Sequence, residues 1–163
     1  MKNSLFLVCP FSNLEQFLRQ QYGQEVFFLT AMAGQSQFHE LPYAEAVIDL
    51  IEREQLSELY LVNDTACRFM NGLLDEAPTH GSMAEGKLEQ LLVENYCEIK
   101  SQPTRTAQLK KMAAFNLQAQ LHEITSNSFL QTWLTQNRLE IKGLITSKAE
   151  NEVIEIQLGV YEF

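Results

Sequence analysis

Apolar and polar positions alternate along the chain with two different periods. Leu5 to Val8 is a continuous apolar run that stops at Cys9-Pro10, as expected of a short strand buried on both faces. Leu14, Phe17 and Leu18 then recur at helical spacing, and Ser12 or Asn13 offers a cap for a helix ending near Gly23. Val26 to Leu29 reads as a second strand, halted near Gly34. Pro42 opens a helix with Ala44, Val47, Ile48 and Ile51 on one stripe, and its charge-rich end, IEREQ at 51–55, predicts a solvated terminus. Leu59 to Val62 is a third strand. The stretch GLLDEAPTHGS, 72–82, predicts a loop, and helical patterns resume over about 84–99, 105–123 and 128–136. Leu139 to Ile145 reads as a fourth strand. Across a polar turn at 148–151, the alternation of Ile154, Ile156, Leu158 and Val160 predicts an antiparallel partner at the sheet edge.

Strand and helix signals that alternate over the first half imply right-handed crossovers and a parallel sheet covered on both faces. The expected fold class is therefore α/β, three-layered, with a mainly parallel sheet in the order 2-1-3-4 and an antiparallel edge strand. A chain of 163 residues suits one domain over 1–163 with a core that needs no disulfide support. No internal repeat or low-complexity tract occurs.

Charge narrows the classes of partner. A net charge of -9, with the densest basic spot only Arg105, Lys110 and Lys111, argues against nucleic acid and against an anionic membrane surface. The opening MKNSLFLVCP has too short an apolar run for a signal peptide, and no later run reaches the ~20 residues of a membrane span, so the expected location is cytoplasmic. Cys9, Cys67 and Cys97 are too few and too scattered for a disulfide framework.

Candidate chemistry gathers at strand ends. Cys9 follows the first strand, and Asp64 and Cys67 follow the third. In open parallel sheets ligands bind beyond the carboxyl ends of strands, where the strand order reverses. With the order 2-1-3 that crevice lies between the first and third strands, so Cys9, Asp64 and Cys67 would share one hollow. Two thiolates and a carboxylate suit zinc. On spacing alone a buried structural cysteine at a strand end is the commoner outcome, and the two readings stay open at this level. His39 and His80 read as solvated loop residues, His122 as a structural residue late in a helix, and Cys97 as a helix packing residue. No phosphate loop, G-x-G-x-x-G or G-x-S-x-G is present.

Several stretches together resemble the β-class carbonic anhydrases. That family has a strand ending in Cys-x-Asp-x-Arg, a strand like F-V-x-R-N-A-G-N, a helix, and an apolar strand ending in G-H-x-x-C. The counterparts are LFLVCPFSN (5–13), VFFLTAMAGQ (26–35), AVIDLIEREQLSELYLV (46–62) and NDTAC (63–67). The family's closing helix, strand and hairpin resemble NSFLQTWLTQNRLEIKGLITSKAENEVIEIQL (127–158), while the middle, about 70–105, is dissimilar.

The resemblance implies zinc held by Cys9 and Cys67, with Asp64 at the position of the family's ligand histidine. It puts Phe11 and Asn13 at the places of the Asp and Arg that position the zinc-bound water, and Thr30 and Ala31 at the Arg-Asn of the second strand. Two thiolates balance the charge of zinc, so a third anion weakens it as a Lewis acid and leaves its water harder to ionise than the pKa of about 7 in efficient hydratases. Losing the proton-handling pair removes an effect worth about 10²- to 10⁴-fold. The expectation is a carbonic-anhydrase-like protein that has lost efficient CO2 hydration and serves as a small-ligand-binding or interaction module. The alternative is a zinc-dependent hydro-lyase or hydrolase with an altered Cys-Asp-Cys site. A flavodoxin-like binder of an anionic small molecule is disfavoured by the acidity and the missing Gly-rich loop. The family is dimeric, so a homodimer is implied, but the N-terminal helices that make its contacts have no counterpart before the first strand.

Overall fold

The computed structural model describes residues 3–158. Its sheet comprises β1 (Ser4–Val8), β2 (Val26–Thr30), β3 (Glu58–Asp64), β4 (Glu140–Ser147) and β5 (Glu152–Ile156), in the order β2-β1-β3-β4-β5. The first four strands pair in parallel and β5 runs antiparallel to β4. The expected α/β class, strand order and antiparallel edge are thus the ones the chain adopts. The helices are α1 (Glu15–Tyr22), α2 (Leu41–Arg53), α3 (Arg68–Leu74), α4 (Met83–Glu94), α5 (Tyr96–Lys100), α6 (Arg105–Ser126) and α7 (Ser128–Asn137).

Crossover handedness decides which face each helix covers. The step from β1 to β2 moves one way across the sheet; the steps to β3 and β4 move the other way. Right-handed connections therefore put α1 on one face and α2 to α7 on the opposite one. Strand alternation supplies a separate core for each layer. Phe6, Val8, Tyr60, Val62 and Leu144 pack with Leu14, Phe17 and Leu18 around α1. Leu5, Leu7, Leu59, Leu61, Ile141 and Ile145 pack under the other helices, where Ala44, Val47, Ile48 and Ile51 of α2 form the anticipated stripe. Gly143 lets the hairpin close on this second face, since a Cβ there would lie 2.7 Å from Ile156 and 2.9 Å from Leu158. Among the described residues no helix is long and apolar enough to cross a membrane.

Local chemistry corrects several expectations. Leu14, not Ser12 or Asn13, takes the cap position of α1 without a side-chain cap. The Ser12 hydroxyl instead donates to the Cys9 carbonyl at 2.6 Å, and Asn13 adopts φ 51°. The 72–82 loop begins only at Asp75, because burial of Phe69, Met70 and Leu74 carries α3 through Leu74. The helical pattern over 84–99 is two helices: Asn95 bonds back to the Leu91 carbonyl and breaks the run. Cys97 is exposed and Ile99 takes the buried position, so Cys97 is not a packing residue. β5 ends at Ile156, Leu158 is buried beyond it, and Val160 lies outside the described residues.

Candidate functional site

The carboxyl ends of β1 and β3 bring Cys9 and Cys67 into the same buried core, on the α2-to-α7 side of the sheet. The turn after β1 is fixed by the Ser12 amide, 3.1 Å from the Cys9 carbonyl, and the Cys9 sulfur accepts the Ala33 amide at 3.3 Å. Cys67 stands at the start of α3. Burial pushes its thiol up from the ordinary value, the Met70 and Phe69 amides pull it part of the way down, and the Cys9 and Asp64 charges push it up further.

Asp64 points elsewhere. Along β3 it alternates with Asn63 and so shares a face with Tyr60 and Val62, the α1 side. The β3–β4 register sets it beside Thr146. One carboxylate oxygen accepts the Ala66 amide at 2.8 Å; the other accepts the Thr146 hydroxyl at 2.7 Å and the Lys148 amide at 3.2 Å. Asp64 is 4% exposed and Thr146 not at all. The carboxylate ties β3 to the end of β4 and leaves little capacity for another partner. Among the described residues no group of three or more His, Cys, Asp or Glu side chains is placed to hold a metal ion. In their present placement Cys9, Asp64 and Cys67 do not make the three-donor set that zinc requires.

On the thiol side, the place beside Asp64 belongs to Asn63, part of a buried amide lattice that sequence reading missed. Asn116 donates to the Ala33 carbonyl at 3.0 Å and to Asn63 at 2.7 Å, and it accepts from Gln35. Gln120 donates to Gln35 at 2.9 Å and accepts both the amide and the hydroxyl of Ser36 at 3.0 Å. Asn63 donates to the Ala33 and Val62 carbonyls. A signal for it exists in α6: buried positions 109, 112, 113, 116, 117, 120, 121 and 124 make one stripe, and only 116 and 120 in it are amides. The lattice holds a single 3-10 turn, Met32–Gly34, against β3. Gly34 at φ 68° is required there, because a Cβ would meet the Asn63 amide at 2.8 Å and the Val62 carbonyl at 3.1 Å.

The remaining positions lie around the rim. Phe11 is 51% exposed, edge-on to Phe69, with the Arg68 guanidinium 4.8 Å above its ring. Arg68 has no carboxylate partner among the described residues. Asn13 contributes its carbonyl, 3.4 Å from the Lys148 ammonium. Thr30 is exposed and opens onto a different cleft, whose lining includes neither cysteine. His80 is exposed as expected, and His122, read as a structural residue, is exposed as well. His39 is instead a paired residue, its ring 2.9 Å from Glu123.

Solved structures that this chain resembles in fold include β-carbonic anhydrases. The CafA enzyme of Aspergillus fumigatus matches with a TM-score of 0.80 and 17% identity, over 99% of this chain and 78% of its own. A tetrameric β-carbonic anhydrase of Sordaria macrospora matches with a TM-score of 0.80 and 16% identity, over 98% and 82%. The Coccomyxa enzyme in complex with acetazolamide matches with a TM-score of 0.73 and 14% identity, over 95% and 72%. Comparison of the sequence with family models and with curated proteins gave no match. The fold is that of the β-carbonic anhydrases.

Proposed function

We propose that this chain is a carbonic-anhydrase-like module in which efficient CO2 hydration has been lost and binding has been kept. The observation that carries this reading is the closure of the Asp64 carboxylate by Thr146, Lys148 and Ala66. A group bound by three donors on the α1 face is a structural anchor, and turning it toward the thiols would leave the buried Thr146 hydroxyl without its acceptor. Phe11 and Asn13 offer no acid–base group at the mouth, and general acid–base assistance is worth about 10²- to 10⁴-fold in such chemistry. Stopped-flow measurement with a pH indicator is expected to give CO2 hydration at the uncatalysed rate; a robust rate abolished by Cys67→Ser would overturn the reading.

A second reading, an altered zinc-dependent hydro-lyase or hydrolase, has one observation in its favour: Cys9 and Cys67, at the ends of neighbouring strands, belong to one buried core. Elemental analysis of protein purified without chelator separates the two. Stoichiometric zinc that disappears in both Cys9→Ser and Cys67→Ser supports the second reading, and zinc far below one per chain supports the first.

A further inference from the structure

A cleft of about 370 Å³ lies where the end of β2, the 3-10 turn, the 35–39 segment and the first turn of α4 meet. Its lining brings together two thioethers and an imidazole: Met32 of the turn, Met83 at the start of α4, and His39. Methionine is ordinarily an inside residue. Met70 and Met112 keep that rule at 1% and 0% exposed, whereas Met32 and Met83 are 38% and 67% exposed. Both exposed side chains stand on fixed backbone. The amide lattice holds the turn that carries Met32, and a capping box between Ser82 and Glu85 fixes the start of α4.

Glu123 sets the state of the imidazole. One of its carboxylate oxygens lies 2.9 Å from His39 Nδ1. An ionised carboxylate only accepts, so in the neutral ring the proton sits on Nδ1 and Nε2 keeps its lone pair. Nε2 has no hydrogen bond among the described residues, since the Glu40 carboxylate is 3.9 Å away, too far for one. Histidines that bind metal ions commonly donate their other ring N–H to a carboxylate in this way. Charge favours a cation as well. Lys87 is neutralised by Glu123, 3.2 Å from its ammonium, and Glu40 leaves a negative charge beside the ring.

We propose that Met32, Met83 and His39 bind one soft monovalent metal ion, of the copper(I) class, in this cleft. Thioethers are soft donors that select copper(I) and offer little to magnesium or calcium, and imidazole suits copper too. The site lies apart from the two buried thiols, neither of which lines the cleft. It goes beyond the reading of the chain as a carbonic-anhydrase-like module and does not depend on it.

The test is a titration of the full chain carrying Cys97→Ser, which removes the exposed thiol, with silver(I) as a redox-inert probe for copper(I). Methionine methyl ¹H–¹³C spectra and the His39 ring signals are the readout. The Met32 and Met83 methyls should shift together and saturate, the His39 ring should move with them, and the buried Met70 and Met112 methyls should stay in place. Calcium should move none of them. Met83→Leu, an exposed and volume-conserving change, should fold as the parent does and lose the joint response. His39→Gln should lose it as well. Glu123→Gln should weaken silver binding by about tenfold or more, the usual effect of removing the carboxylate behind a ligating histidine. Silver lodged only on Cys9 and Cys67, with the Met32 and Met83 methyls unmoved, would overturn the proposal. So would a Met32 response that survives both Met83→Leu and His39→Gln, or an equal response to calcium.

Discussion

Replacing Asp64 by Ala removes the acceptor for the Thr146 hydroxyl and for the Ala66 and Lys148 amides. A hydrogen bond to a charged group contributes about 1.5–3 kcal/mol net, and a buried donor left unpaired costs about as much again as its own desolvation. Ala66 and Lys148 are exposed and their amides can turn to water, so the loss falls mainly on fully buried Thr146. The expected destabilisation is ~4 kcal/mol. With a urea slope of ~2 kcal/mol/M this lowers the denaturation midpoint by ~2 M. Asp64→Asn keeps one acceptor oxygen but turns an amide donor toward other donors, and should fall between the parent and Asp64→Ala. Urea curves for all three proteins, with and without chelator, decide the matter. An anchor gives the same loss in both conditions. A loss below ~1 kcal/mol, or one seen only without chelator, would show that the carboxylate serves a metal rather than the sheet.

Two further outcomes follow from buried polar groups. Asn116→Ala should lower stability by ~2–4 kcal/mol in thermal denaturation, because Gln35, Asn63 and the Ala33 carbonyl all lose a partner, and should speed thiol labelling of buried Cys9. An unchanged melting temperature would sink that account. At alkaline pH, burial pushes the Tyr22 phenol up from 10.0 to about 12, with Tyr60 the next cause, and burial likewise raises Tyr43 and Tyr60. The fold favours the neutral phenols, so their contribution is complete below pH 10 and drains away as pH rises toward 12. Absorbance at 295 nm should show these phenols ionising later in folded than in denatured protein; coincident titrations would refute the assignment.

Strand order and the α2 stripe were legible because continuous apolar runs and the helical period follow directly from burial. The lone helix on one face also follows from order and handedness. What escaped were features set by partners far along the chain. Nothing near Asp64 announces Thr146, 82 positions away, as the owner of its carboxylate. Two-residue alternation does show that Asp64 and Asn63 must face opposite layers, and that clue was there to use: a strand residue is better placed by its parity than by its nearness to a strand end. Cys97 and the break at Asn95 were obscured because one side chain's bond to the Leu91 carbonyl decides them.

The amide lattice has a consequence for how this molecule can be altered. The turn beside Cys9 is braced from α6, by side chains 81 to 85 positions downstream. Bringing such remote pieces together is slow and entropically demanding, so the hollow at the sheet's mouth sets late, after the long helix has docked. Changes made in α6 will therefore reshape the surroundings of the Cys9 sulfur as changes next to it do.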